Sequence, residues 1–319
     1  MSALARPLIL VASGTANTGS SVVKFLSASN TVNIRAMSRD PDSAKAKALS
    51  LLPNVTVVKG DFDDFASIKS ALSGANRALL VSDAFSLNQF EREANFMKEA
   101  GLANLEATVR ISTCSMLIRA GTTGAYGRAH HGLEAYALDK KLRVIHVNPN
   151  WFFTNWLMQA DEAKSAGTIS YPIVGTGERT AMVAPDDVGS ACAHMLALPL
   201  AELQPFLAAK NVELHGPELV NFSDVAAAIS KSVGYDIKIN NVPGDAWAAG
   251  LIGMGIPRVF AHSFLETIQH VDDPGRAVVD ASRPTVQETS KMLIDSGWRA
   301  HTTLEQWAGS EMVKGAYKK

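Results

Sequence analysis

Several residues in this sequence have types and spacings suited to chemistry. His130 and Glu134 stand one helical turn apart on a common face. An imidazole so placed could hand a proton to a substrate oxygen, with the carboxylate fixing its tautomer and raising its basicity. As a mere helix-surface pair the two would contribute a few tenths of a kcal/mol; both readings stand. Ser112, Thr113 and Ser115 offer hydroxyls that could orient a substrate oxygen. Upstream, Ser13–Gly19 (SGTANTG) is a run of small side chains. Backbone amides and a helix N-terminus favour a pyrophosphate in such a loop, which makes Ser13, Thr15, Ala16, Asn17, Thr18 and Gly19 candidate cofactor contacts.

The elements around that loop must present it. Leu8–Val11 is an apolar run of strand length, and Val22, Val23, Phe25 and Leu26 recur at helical spacing. Against the dinucleotide fingerprint, the three glycine positions fall at Ser13, Ala16 and Gly19, so only the last is kept. Gly14 can supply a turn that needs positive φ, and Ala16 adds a methyl where phosphates would approach. An ordinary strand–turn–helix corner is the alternative. Val32–Met37 reads as the second strand, ending before Arg39, which stands 20 residues after Gly19. An arginine there can pair with a 2′-phosphate, which favours NADP(H) over NAD(H); Asp40 could instead take the ribose, and a solvated strand-end charge is the plain alternative. Val55–Val58 is the third strand, followed by Asp61 and Phe62, placed to meet an adenine, and by Asp63 or Asp64 as cap of helix Phe65–Leu72. Arg77–Val81 is the fourth strand; Ser82-Asp83-Ala84 at its end would line the nicotinamide side. Thr108–Ser112 and Arg143–Val147 complete six strands separated mostly by helical segments, which implies parallel winding. Ala184–Val188 opens a helix capped by an aspartate.

At 319 residues with 47% hydrophobic and 19% charged side chains, the chain can bury a full core, and its net charge of −1 gives no general attraction to nucleic acid or anionic membrane. The two cysteines, Cys114 and Cys192, have neither metal-ligand spacing nor a disulfide framework, as in a reducing cytosol. No run reaches membrane-spanning length and no cleavable leader pattern is present, so a cytoplasmic protein is expected. No Ser/His/Asp elbow, metal cluster or Walker loop is found.

The segments VASGTANTG, IRAMSRDP, VTVVKGDFDD, VIHVNPNWFFTN, MVAPDDVG and ELHGPELVNFSDVAAAISKSVGYDI, in this order, resemble the NmrA-like branch of the atypical short-chain dehydrogenase/reductase superfamily. The resemblance implies an α/β fold, a Rossmann-type doubly wound parallel sheet with a smaller C-terminal α+β lobe over its carboxyl edge. Residues 1–155, completed by about 184–212, would form the NAD(P)-binding core, and 156–183 with 213–319 the substrate-cleft lobe. Phe152, Phe153 and Asn155 would lie at the cleft's mouth, with Ser112 a further substrate contact. The superfamily's Tyr-x-x-x-Lys is missing from its place; the literal match, Tyr136 and Lys140, falls at the far end of its helix. The function implied is NADPH-dependent reduction of a small carbonyl or quinone, with NADP(H) preferred and NAD(H) second. The alternative is a non-catalytic NAD(P) sensor that acts on a protein partner.

Overall fold

The computed structural model describes residues 6–83, 86–118, 124–172, 179–272 and 289–319. Ala84 and residues 173–178 lie outside the described residues. The chain opens with β1 (Leu8–Val11), α1 (Asn17–Ser29), β2 (Asn33–Ser38), α2 (Ala44–Ser50), β3 (Val55–Lys59), α3 (Phe65–Leu72), β4 (Arg77–Leu80), α4 (Gln89–Leu102), β5 (Ala107–Ile111), α5 (Ala125–Asp139) and β6 (Val144–Pro149). A 3-10 segment at Phe153–Gln159 leads to α6 (Ala160–Ala166), β7 (Thr168–Tyr171), α7 (Pro185–Ala197), α8 (Leu200–Ala209) and β8 (Asn211–Leu214). Then come α9 (Phe222–Val233), β9 (Lys238–Asn241), α10 (Gly244–Gly253) and α11 (Arg258–Asp272), and three short helices end the chain.

Seven strands form one parallel sheet in the order β3-β2-β1-β4-β5-β6-β8, so the winding reverses between β1 and β4. This is the doubly wound arrangement, whose ligands gather at the carboxyl ends beside the reversal. The buried strands point alternately to two layers. Ile9 and Val11 pack with Val22, Val23 and Leu26 of α1 and with α7 on one side, while Leu10 packs with Ile68 of α3 and Phe96 of α4 on the other. β8, a seventh strand beyond the six expected, pairs with β6 at the sheet's edge, Leu214 beside Pro149. Leu214, Leu293 and Trp298 also pack in the core beneath the sheet, so segments late in the chain return to the first body. The second body has its own core of Trp156, Tyr171, Phe222 and Trp307 around the two-stranded pair β7–β9.

α7 differs from expectation at its start. Its N-cap is Ala184, with Pro185 in the first turn and no side-chain cap. The two aspartates serve tertiary contacts instead: Asp186 accepts from Ser21 Oγ of α1 at 2.8 Å. Asp187 is fully buried and accepts from the Thr302 amide (3.1 Å) and hydroxyl (3.1 Å) and from His301 Nδ1 at 2.8 Å. No described helix is long and apolar enough to cross a membrane.

Candidate functional site

The loop after β1 bends at Ser13, whose φ of 53° lies in the left-handed region; Gly14, expected to supply that turn, is absent from the positive-φ residues. Gly14 is needed for space instead, because a Cβ there would meet Ala36 Cβ at 2.9 Å. At Gly19 a Cβ would sit 2.2 Å from the Ser13 carbonyl oxygen, so the one glycine of the fingerprint that survives is the one the loop cannot replace. α1 then begins with no side-chain cap and no acidic residue in its first turn. Its first amides and macrodipole are therefore left to face an anion, and these residues fit a pyrophosphate. A left-handed serine costs about 1–2 kcal/mol where glycine would not. Ser13→Gly is expected to raise the thermal midpoint by a few degrees, checked by calorimetry.

The neighbouring strand ends supply the rest of a groove. Arg39 is exposed just past β2, and its charge helps to depress the pKa of Asp63, which is held down mainly by a bidentate pairing with Arg92. Asp64, not Asp63, caps α3, accepting from the amides of Ala66 and Ser67. Asp61 is half-buried and accepts from the Asp63 amide at 3.1 Å, and Phe62 sits beside it with its ring 6.0 Å from that of Phe96. The amide of Gly60 donates to the Ser38 carbonyl at 2.9 Å, which holds the β2 and β3 ends together. Asp40 is engaged locally, accepting from the Asp42 amide at 3.0 Å. Ser82, expected to face a nicotinamide, directs its hydroxyl to Glu93 at 2.6 Å.

Beyond the ends of β5 and β6 lies a cavity of about 190 Å³, enough for a small organic molecule where one water needs only about 30 Å³. Its walls divide by chemistry. Ser112, Thr113 and Tyr126 bring hydroxyls to one part, while Trp151, Phe152, Phe260 and Phe264 make the rest aromatic. Phe152, Asn155 and Ser112 all line this cavity. Phe153 does not: it is fully buried and stacks on Trp307 at 5.1 Å in the core of the second body, because its neighbour Phe152 takes the cavity side.

Tyr126 was missed by the sequence reading. It sits in the first turn of α5, hydrogen-bonded through its hydroxyl to Thr113, with its ring edge-on to His130 at 4.5 Å between centroids. Its backbone amide donates to Ser263 Oγ of α11 at 3.1 Å, which ties this turn to the second body. Burial pushes the phenol pKa up to about 12, against a lowering by the Thr113 bond. The signal was available as Tyr126-x-x-x-His130, two residues on one helical face.

His130 is buried, and its proposed partner does not hold it. Its Nδ1 lies 2.8 Å from Arg110 Nη2 and 3.2 Å from Ser112 Oγ. Glu134 instead lines a separate recess with His131, Lys141 and Lys210. Burial, then the charges of Arg110 and His146, hold the His130 pKa well below 6.5. The expected proton donor charged near neutrality is thereby corrected: the ring is neutral, since a proton on Nδ1 would face a guanidinium. The literal Tyr136 and Lys140 do not line the cavity; Lys140 ends α5 and is paired to Asp139. Because the unfolded ring accepts a proton near pH 6.5 while the folded ring resists it, the unfolded state binds more protons below that pH. Unfolding free energy should be full above about pH 6.5 and fall as pH drops below it, a slope that urea titrations of His130→Gln should show reduced.

Both cysteines are buried and neither is in a disulfide, and among the described residues no three His, Cys, Asp or Glu side chains converge as a metal site.

A seven-stranded, doubly wound sheet with an anion loop after its first strand defines a dinucleotide-binding protein of the Rossmann type. Residues 6–104 match the model of the NmrA-like family. It is 24% identical over 262 residues to an NAD(P)H azoreductase of Xenophilus azovorans, covering 81% of this chain and 85% of that one. To quinone oxidoreductase 2 of Escherichia coli (strain K12) it is 26% identical over 238 residues, covering 74% and 77%. The solved structure of that Escherichia coli enzyme complexed with NADPH has a TM-score of 0.71 at 23% identity, covering 94% of this chain and 98% of that one.

Proposed function

We propose that the protein is an NADPH-dependent reductase of a quinone or related small carbonyl compound. The observation that carries this reading is the cavity beyond β5 and β6, with hydroxyls of Ser112, Thr113 and Tyr126 on one part of its wall and aromatic rings on the rest. A flat, conjugated acceptor suits the aromatic wall, and its oxygen suits the hydroxyl end. The similarity to an azoreductase and to a quinone oxidoreductase supports the same chemistry. Ser13–Gly19 would hold the pyrophosphate, Arg39 the 2′-phosphate, and Asp61 with Phe62 the adenine.

When bound, the dinucleotide supplies hydride. The residues of this chain do the rest: the aromatic wall orients the acceptor, and the Tyr126 hydroxyl donates a hydrogen bond to the oxygen that gains charge. A quinone that takes up that hydride, and then a proton from solvent water, leaves as the hydroquinone. Tyr126 keeps its own proton throughout the physiological range because its pKa is raised, so it serves as a constant donor. Purified protein mixed with NADPH and a series of benzoquinones should lose the absorbance of the reduced nicotinamide. Tight NADPH binding with no oxidation by any quinone or carbonyl would favour the sensor reading instead.

Arg39→Ala should abolish a preference for NADPH over NADH. One hydrogen bond to a charged group is worth about 1.5–3 kcal/mol, so NADPH affinity should fall by roughly 10–150 fold while NADH affinity stays. Calorimetric titration of both cofactors checks it.

A further inference from the structure

β5 is buried along its whole length, yet its fourth residue is Arg110, whose side chain is wholly inaccessible to solvent. Each part of the guanidinium has an acceptor. Nε bonds Glu93 of α4, Nη1 reaches Ser112 Oγ at 3.1 Å and His146 Nδ1 at 3.3 Å, and Nη2 reaches His130 Nδ1 at 2.8 Å. His146 is its cross-strand neighbour on β6. Glu93 also accepts from Ser82 and from Gln89 at 3.0 Å, so the carboxylate that balances the charge is itself held.

Arginine only donates. The 2.8 Å guanidinium contact, charge-assisted and shorter than the 3.3 Å approach of the Gln89 amide nitrogen to His130 Nε2, leaves His130 Nδ1 unprotonated, and Ser112 Oγ accepts from Nη1. The serine then has one hydrogen to place. Among the described residues its nearest side-chain acceptor is His130 Nδ1 at 3.2 Å, whose single lone pair already takes the shorter, charge-assisted bond from Nη2. The direction left to the hydrogen is the cavity, which Ser112 lines.

We propose that Arg110 is a positioning residue for the reduction: by donating to Ser112 Oγ and occupying His130 Nδ1, it turns the Ser112 hydroxyl outward as a donor to the substrate oxygen. This role rests on the reductase reading above. Ser112 and Tyr126 then form a pair of preorganised donors where negative charge develops, the arrangement that stabilises an oxyanion most effectively in a site sheltered from water. Without Arg110 the serine hydrogen would turn to His130 and be lost to the substrate.

The test is a double-mutant cycle with benzoquinone and NADPH, using Ser112→Ala, Arg110→Lys and both together. Ser112→Ala should lower kcat by about 10²–10³ fold, the effect of removing one such donor, with KM for NADPH unchanged. Arg110→Lys, which keeps the charge but loses the planar fork, should lower kcat comparably and have no further effect in the Ser112→Ala background. Losses that multiply would overturn the proposal. Nitrogen NMR of the unaltered protein provides an arm that does not depend on the variants folding: His130 should be neutral with its proton on Nε2 from pH 6 to 8. A proton on Nδ1 would overturn the proposal. Normal turnover by Ser112→Ala sinks this role alone, whereas no turnover by the unaltered protein sinks the reductase reading and this role with it.

Discussion

Tyr126→Phe is expected to lower kcat for quinone reduction by about 10²–10³ fold, the usual loss on removing a single donor from a developing oxyanion. NADPH affinity should not change, because Tyr126 lines the cavity and no residue of Ser13–Gly19 does. The substitution keeps the ring that packs edge-on to His130, so stability should hardly move. The pH profile offers a second check. With the phenol raised to about 12 by burial, ionisation of this group takes away no activity as pH rises through the ordinary tyrosine value of 10.0. A titrating histidine donor would instead give a decline near neutrality. Steady-state kinetics of the two forms between pH 6 and 9 would separate these, and a Phe variant of normal kcat would remove Tyr126 from the chemistry.

Arg110→Met should destabilise the fold by about 3–5 kcal/mol, the cost of stranding one member of a buried ion pair. Glu93 is only 1% exposed and would keep its negative charge with Ser82 and Gln89 as its remaining partners. Adding Glu93→Leu should recover most of the loss, since replacing both members of such a pair with apolar groups is often neutral. Urea unfolding of the single and double variants measures both. Equal midpoints for the Met variant and the unaltered protein would mean that the pair contributes nothing to stability.

The scaffold was legible because parallel strands buried on both faces announce themselves as apolar runs. Leu8–Val11 and the helix Phe65–Leu72 have the bounds that pattern implies. β8 was hidden because it has only four residues, begins two positions after a helix that contains Pro205, and pairs at the sheet's edge. Within the site, the loop and the strand ends could be read, while the buried polar network could not. A charge inside β5 breaks the apolar run by one residue and carries no sign of its partner, which comes from α4 and reaches it only after folding. Glu134 misled for a related reason: helical spacing places two side chains on one face but does not say which neighbour wins the imidazole, and a buried guanidinium outcompetes a carboxylate on the recess side. Tyr126 was overlooked because a Tyr-x-x-x-Lys was sought by its letters, whereas the useful feature is a phenol one turn before a buried base.

Asp187 determines when this protein can finish folding. The aspartate belongs to α7, which packs against α1, yet the groups that satisfy its carboxylate are in residues 301 and 302. A ribosome adding about 5–20 residues per second needs roughly 6–23 s to pass from one to the other. Throughout that interval the Asp187 carboxylate lacks the groups that satisfy it in the folded protein. The layer of α1 and α7 is therefore expected to mature fully only once residues 301 and 302 are available, and a chain truncated before His301 should show weaker protease protection of α1 than the full chain.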